Sequence, residues 1–305
     1  HPNVHPFDSD LVICEQDGRV KGFDSKHNVR DYWYKNCVNA GFYVMNCSVC
    51  RRVPPETKVG LEKDLLTDMI AQGCPVFAYA SPEYIRDVGT VDRIRHAESE
   101  LISGFVAARS LRNRQKAIFL DRDGTVNRKN GLVYTEDQFE LEDTAVEAIR
   151  RINASGFLAI VITNQPVVAR GLCQIEDVER IHRKMETLLG REGVYLDDIR
   201  FCPHHPDKGY PEENPEYKIP CTCRKPDIGM MRDCAERFHI DLSQSWMVGD
   251  TTVDIQTGKN AGTRTVLVLT GDAGQDGKYP VKSDLLCENL LDAVNAIIDY
   301  EKRRK

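Results

Sequence analysis

Residues 119–126 read FLDRDGTV, in which an apolar run delivers Asp121 and a turn carries Asp123, Gly124 and Thr125. Two carboxylates so spaced, with glycine next, suit a site that holds a divalent cation and lets backbone N–H groups approach a phosphate. The competing reading is an acidic turn after a strand, since Asp and Gly are common turn formers. Further stretches weigh against it: Thr163-Asn164 close the apolar run FLAIVITN (157–164), Lys225 follows a cysteine-rich loop, and GDTTVD (249–254) adds Asp250 and Asp254. Taken singly, Thr163 reads as a turn residue, Lys225 as a solvated charge and the two aspartates as a helix cap. Taken together they supply what phosphoryl transfer through a carboxylate nucleophile needs: the nucleophile, an acid/base, a hydroxyl donor, a cation, and metal carboxylates from elsewhere in the chain.

A second cluster lies in CPHHPDKGYPEENPEYKIPCTCRKP (202–226). Cys202, His204, Cys221 and Cys223 make a Cys₃His set able to close a tetrahedral structural Zn²⁺ site, and four protein ligands leave no open position for a reacting water. His205 is the adjacent candidate, but alternation from Cys202 favours His204. The metal would pin a long loop directly before Arg224 and Lys225 and so fix both cations. Cys47 and Cys50 have no second pair nearby and read as two unrelated thiols. Eleven cysteines, an odd number over 305 residues, argue against a secreted disulfide framework.

The elements that must position these groups follow from periodicity. Strands at 117–121, 157–164, 245–250 and 263–270 alternate with helices at 142–156, 174–190, 227–239, 252–261 and 286–300. This is the α/β pattern of a doubly wound parallel sheet covered by helices, with ligands beyond the carboxyl ends of the strands, where Asp121, Thr163 and Asp250 should converge. Residues 1–110 differ: a hairpin around Asp17-Gly18, strands at 37–45 and 74–80, and helices at 61–73 and 91–111. The division expected is an N-terminal partial α/β domain (1–110), a polar linker (111–116) and the main domain (117–305).

With 41% hydrophobic and 29% charged residues the chain can bury a sizeable core. A net charge of −6 offers no broad cationic field, so neither nucleic acid nor an anionic membrane surface is expected as partner. No run approaches the roughly eighteen apolar residues of a membrane span, and HPNVHPFDSD lacks the basic and apolar parts of a signal peptide, so a cytoplasmic setting is expected.

On these motifs, residues 116–300 resemble phosphatases of the haloacid dehalogenase superfamily. The resemblance implies that Asp121 attacks phosphorus, that Asp123 protonates the leaving alcohol and then activates water, and that Thr163 and Lys225 hold the phosphoryl oxygens. It places Mg²⁺ between Asp121, the backbone carbonyl of Asp123 and Asp250, with Asp254 assisting through water. Only forty residues separate Asp123 from Thr163 and a helix fills most of them, so no cap domain is expected and substrate recognition falls to loops.

The stretches DRDGTVNRKNGLVY (121–134), TNQPVVARG (163–171) and CPHHPD…CTCRKPDIGM (202–230) are similar to those of D-glycero-D-manno-heptose 1,7-bisphosphate 7-phosphatases. A small phosphorylated sugar is the implied substrate, lined by Lys129, Asn130, Gly131 and Leu132. Thr163, Asn164, Gln165 and Pro166 form a second contact loop, and the planar fork of Arg224 binds the distal phosphate. The family pattern also favours His204 as the fourth zinc ligand. Two departures stand out: Pro166-Val167 where the family commonly has Ser-Gly, and Thr251 where it commonly has Lys. Histidinol-phosphate phosphatases share the cysteine-histidine loop, but the sixteen residues between His204 and Cys221 fit the heptose type better.

In the front half, VNAGFYV (38–44), LEKDLL (61–66) and DVGTVDR (87–93) resemble the later half of sugar-1-phosphate nucleotidyltransferases. That family's glycine-rich nucleotide loop has no counterpart here, so no nucleotidyl transfer is expected, and Asp87-Val88-Gly89-Thr90 reads as a turn capping the next helix rather than a metal site. The chain is then either a fragment of a bifunctional enzyme or carries a packing module that favours self-association or a nucleotidyltransferase half as partner. By analogy, such a fusion points to GDP activation and the α-anomer of the bisphosphate.

Overall fold

The apolar runs bury both their faces, which only a sheet covered on two sides allows. In the computed structural model, which describes every residue except Gln16, Pro211 and Lys305, β3 (Ala117–Leu120) and β4 (Leu158–Asn164) are buried almost throughout. They join β5 (Asp198–Cys202), β6 (Trp246–Gly249), β7 (Arg264–Val268) and β8 (Leu285–Cys287) in one parallel sheet, ordered β5-β4-β3-β6-β7-β8. Alternate residues feed opposite layers. Ile118, Leu120, Ala159 and Val161 face the core beneath α4 (Ala145–Ser155), α5 (Ile175–Arg191) and α8 (Leu290–Arg303). Phe119, Leu158, Ile160 and Ile162 face α6 (Gly229–Phe238), and α7 (Thr252–Ala261) packs on β6 and β7.

From the central β3 the chain winds first to one side through β4 and later to the other through β6. That reversal opens a crevice at the carboxyl end of β3, flanked by β4 and β6. Two strands were absent from the sequence reading. β5 alternates polar and apolar residues at the sheet edge, and β8 takes three residues that the periodicity placed next to or inside the C-terminal helix, which begins only at Leu290, after the Asn289 cap.

The front segment departs more. The hairpin forms from β1 (Leu11–Cys14) and β2 (Val20–Asp24), antiparallel around Asp17-Gly18; Gln16, also assigned to it, lies outside the described residues. The strands expected at 37–45 and 74–80 shrink to single bridges, Leu11 with Val38 and Arg19 with Phe77. Asn39 Oδ1 accepts from Gly41 N (3.1 Å) and turns the first run aside; Pro75 lacks the N–H a ladder needs in the second. The helix expected over 61–73 is a π-turn (Leu61–Leu66) running into α1 (Thr67–Ala71). The long helix expected over 91–111 breaks at Gly104 (φ 80°) into α2 (Val91–Ile102) and α3 (Phe105–Ala108). In place of the expected half α/β domain there is a two-stranded sheet with a small core around Leu11, Tyr34 and Val38. Asp87 accepts from Gly89 N (2.9 Å) and pairs with Arg93 while Thr90 caps α2, as the turn reading expects.

This segment is docked on the main domain by specific contacts. Tyr34 N donates to Thr187 Oγ1 on α5 (2.9 Å), and buried Arg109 pairs with Asp197. The expected linker is anchored too: Gln115, buried, donates through N to His239 O (2.9 Å) and through Nε2 to Phe238 O (2.7 Å). No helix among the described residues is long and apolar enough to cross a membrane.

Beside Thr187, burial pushes the Glu186 carboxyl up to about 7, outweighing the favourable charge of Lys35 and a backbone hydrogen bond at Asn36. A carboxyl raised this way weakens the fold as pH climbs from about 4.5 to about 7, because only the folded state resists ionisation. Glu186→Gln is therefore expected to stabilise by about 1 to 2 kcal/mol at pH 8 and by little at pH 4.5. Denaturant titration at the two pH values checks this, and equal effects at both would contradict it.

Candidate active site and cysteine cluster

Asp121 follows the last residue of β3, its N–H donating to Val248 O (2.9 Å) so that the ladder carries it to the crevice. Asp250 follows β6, Thr163 is the penultimate residue of β4, and Lys225 comes from the loop before α6. All four are buried. Lys225 Nζ bridges Asp121 Oδ1 (2.7 Å) and Asp254 Oδ1 (2.6 Å) and donates to Ile162 O (3.1 Å). Burial opposes its charge, but the two carboxylates outweigh it and hold the ammonium above its ordinary range.

Oxygens of Asp121, Asp250 and Asp254 lie within 4.8 Å of one another. Burial, then repulsion from Asp254, raises Asp121 to about 6; burial, then Asp121 and Asp254, raises Asp250 to about 8. Three carboxylates outnumber the two lysines that reach them, Lys225 and Lys129, which leaves electrostatic room for a further cation, and Asp250 Oδ1 is buried without a hydrogen-bond partner. The cradle around it has no spare volume. A Cβ at Gly124, whose φ is 89°, would sit 2.4 Å from Asp250 Oδ2, and one at Gly271 would sit 2.2 Å away. The residues present therefore fit a divalent ion held mainly by Asp121 and Asp250. Asp254 is otherwise engaged, since Oδ1 meets Lys225 and Oδ2 accepts from Thr251 N (3.1 Å) in a capping box. Thr251, the departure from the family's usual lysine, is thus the N-cap of α7.

The Asp123 carboxylate is surrounded by donors. Arg122 Nη2 reaches both its oxygens at 2.9 Å, Asn127 Nδ2 donates at 3.1 Å and Gln165 Nε2 at 2.8 Å. Burial works against ionisation, yet Arg122 and these hydrogen bonds prevail and hold the carboxyl below its usual range. Gln165 Nε2 also donates to Thr163 Oγ1 (2.8 Å), linking two residues named for catalysis.

The loop residues divide. Asn130, Gly131 and Leu132 are exposed. Lys129 reaches inward instead, to Asp272 (2.6 Å) and Asp250 (3.3 Å). Asn164 does not face the crevice with its amide: Nδ2 donates to Lys225 O (3.0 Å) and Oδ1 accepts from Lys225 N (2.9 Å), so it clamps the lysine's backbone. Pro166 is half-buried, and its neighbour Val167 packs with Val168, Cys173 and Val178 under Tyr134 and Tyr217. The Pro-Val departure thereby joins the 121–134 and 163–171 stretches and the cysteine loop through apolar contact.

Cys202, at the end of β5, meets Cys221, Cys223 and His204 as the spacing predicted. Sγ separations are 3.5 Å (Cys202 to Cys221), 3.1 Å (Cys202 to Cys223) and 3.3 Å (Cys221 to Cys223), and His204 Nδ1 lies 3.6 Å from Cys202 and 3.4 Å from Cys223. These approach the edges, roughly 3.3 to 3.8 Å, of a tetrahedron of S and N ligands around zinc. His205 stays out, buried edge-on against Tyr210. Arg224 Nη1 donates to His204 O (3.0 Å), which ties the guanidinium directly to the cluster.

Sequence reasoning missed Arg122, Asn127, His182 and Asp272. Arg122 sits between the two motif aspartates and reads there as a spacer; only its complete burial marks it. A cleft of about 840 Å³ lies away from these groups, lined among others by Tyr84, Arg86, Glu100, Arg109 and Asp197, whose charges are already paired.

Comparison with known proteins agrees with this geometry. A HAD-hydrolase-like family model matches residues 222–293. The D-glycero-beta-D-manno-heptose-1,7-bisphosphate 7-phosphatase of Haemophilus ducreyi is 38% identical over 183 residues, 59% of this chain and 97% of that protein. Its namesake from Pasteurella multocida is 42% identical over 181 residues, 58% and 94% of the two chains. Among solved structures, a D,D-heptose 1,7-bisphosphate phosphatase from B. bronchiseptica, complexed with magnesium and phosphate, superimposes with a TM-score of 0.53 at 34% identity, covering 61% of this chain and 99% of that one. Matched along nearly the whole length of these relatives, and with the front segment left over, this chain belongs to the HAD-like heptose-1,7-bisphosphate 7-phosphatase family.

Proposed function

We propose that the chain hydrolyses the 7-phosphate of D-glycero-D-manno-heptose 1,7-bisphosphate, with Mg²⁺ as cofactor and Zn²⁺ as a structural ion in the cysteine cluster. The observation that carries the reading is Lys225 seated between Asp121 and Asp254 at the switch point of the sheet. Asp121 attacks phosphorus, and as the bond from phosphorus to the sugar oxygen breaks, Asp123 passes to that oxygen a proton it has taken up from the bound phosphate monoanion. Asp123 then accepts a proton from water, whose oxygen attacks phosphorus and returns Asp121 as a carboxylate. Thr163 and Lys225 hold the phosphoryl oxygens, and Arg224 binds the distal phosphate. Asp121, Asp250 and the carbonyl of Asp123 would hold Mg²⁺, with Asp254 acting through water. When bound, the ion neutralises charge on the transferring group.

Phosphate release from both heptose bisphosphate anomers, histidinol phosphate and simple sugar phosphates, with and without Mg²⁺, tests the proposal. A heptose bisphosphate is expected to be the best substrate and to require Mg²⁺; histidinol phosphate as best substrate would overturn the assignment. The relatives' names specify the β-anomer, whereas the front segment's analogy points to α, and the ratio of kcat/KM for the two decides between them.

Stripping zinc, verified by metal analysis, is expected to cut kcat/KM by about 10- to 100-fold, mainly through KM, because Arg224 loses the carbonyl that orients it. Asp121 and Asp250 are carried by the ends of β3 and β6, so the Mg²⁺ requirement persists. Unchanged kinetics in the zinc-free protein would remove the loop from substrate binding.

A cytoplasmic setting belongs to the same proposal, since the cluster needs reduced thiols. So does association through the front segment, where Phe42, Val44 and Ile102 are exposed.

A further inference from the structure

The side chain of Arg122 is completely buried although it carries a permanent charge, and the roles assigned so far do not use it. Its guanidinium is spent on two partners. Nη2 reaches both oxygens of Asp123 at 2.9 Å with Nε at 3.2 Å, and Nη1 faces His182 Nε2 at 3.2 Å. Arginine can only donate, so His182 must accept through Nε2 and is a neutral ring with its proton on Nδ1. Burial, reinforced by Arg122, holds that ring far below its ordinary range for protonation, in agreement with the geometry. The ring is fixed in turn by Phe201 of β5, edge-on at 5.3 Å.

A buried arginine is costly unless its donors are met and its charge is paired, and here one face meets a carboxylate while the other meets an uncharged acceptor. The effect is directional. His182 holds the guanidinium from behind without competing for its charge, so the fork is committed to Asp123. The Asp123 side chain is about one-fifth exposed, while that of Arg122 is sealed. Gln165 completes the frame from the Thr163 side.

We propose that Arg122, braced by His182, is a positioning residue that aims the Asp123 carboxyl at the leaving-group oxygen, so that it serves proton delivery rather than phosphoryl binding. This rests on the acid/base assignment of Asp123 but on no particular substrate. The bond broken is that from phosphorus to the leaving oxygen. The electron pair stays on that oxygen, and the proton reaches it through Asp123, a carboxylate under the Arg122 fork at rest, which takes the proton of the bound phosphate monoanion and hands it on.

The test compares kcat/KM, which reports steps through departure of the leaving group, on two esters: the sugar phosphate that the unaltered chain hydrolyses best, and p-nitrophenyl phosphate, whose phenolate leaves without a proton. Arg122→Gln is expected to lose about 30- to 100-fold on the sugar phosphate and less than 5-fold on the aryl ester. Arg122→Lys should recover part of the loss, since it restores charge without the fork. Equal losses on both esters, or none on either, would overturn the proposal. Should Arg122→Gln fail to fold, His182→Leu decides: at least 3-fold greater loss on the sugar phosphate supports the brace, and equal loss refutes it. Asp123→Asn separates the two levels of inference. If it discriminates between the esters while the Arg122 and His182 variants do not, only the positioning role fails; if it does not discriminate, the acid assignment itself has failed.

Discussion

Asp121→Asn is expected to abolish phosphate release, with turnover lowered by at least about 10⁴-fold, while the protein stays folded. The amide cannot form the acyl-phosphate that divides the displacement into two steps, and nothing beside it can substitute. Asp250 and Asp254 lie within reach of the same space, but Asp254 has both oxygens engaged and Asp250 is the proposed metal ligand. The fold argument runs the other way. Asp121 is one of three crowded carboxylates, and burial with repulsion from Asp254 raises it to about 6. Removing its charge relieves that repulsion, so the metal-free variant should melt no lower than the unaltered protein at pH 8. Retained phosphate release would sink the nucleophile assignment. Lost release with a collapsed melting temperature would show instead that Asp121 holds the site together.

The second large effect is expected from Lys225→Met, which keeps the aliphatic stem and removes the ammonium. Fixed cations on a phosphoryl group in a water-poor site contribute about 10² to 10³ in rate, and kcat/KM should fall by that much. Stability should fall as well, by about 3 to 5 kcal/mol at pH 8 without metal, because Asp121 and Asp254 are left buried without their shared partner. The sign with pH follows from the carboxylates. Asp121 already titrates above its ordinary range and would be raised further without Lys225, so the penalty is largest at the alkaline end, shrinks as pH falls from 8 toward about 6 and is smallest below it. Denaturant titrations at pH 5 and pH 8 measure this, and a penalty that grows toward acid would contradict it. Added Mg²⁺ should recover much of the stability but not the rate, since it neutralises charge without replacing the donor on the phosphoryl oxygen.

Particular residues show why some of the site was legible and some was not. Asp121, Thr163 and Asp250 were readable because each ends an apolar run, and in a parallel sheet all strand ends on one side face the same crevice. The cysteine cluster was readable because short pairs chelate whatever loop joins them. Asn164 was read as a substrate contact from its place in the sequence, and only the return of the chain at Lys225 turns its amide onto that backbone. Lys129 was placed on the sugar, yet Asp272 draws it inward from a loop with no chemical signature of its own. In the front segment, the patterns at 37–45 and 74–80 have strand composition but no neighbouring strand long enough to pair with, so composition overstated the order.

By itself, the sequence determined the periodicity, the parallel sheet and the identity of the groups that end its strands, because burial pattern and strand direction are local properties that one chain carries in its spacing. The tertiary structure alone decided how those groups share their charges: that Lys225 serves two aspartates, that Asp254 is divided between a lysine and a helix cap, and that Arg122 turns from a spacer into the frame of Asp123. The physical reason is that ion pairing and desolvation fall off over a few ångströms, and residues sixty or a hundred positions apart reach that distance only when the sheet closes.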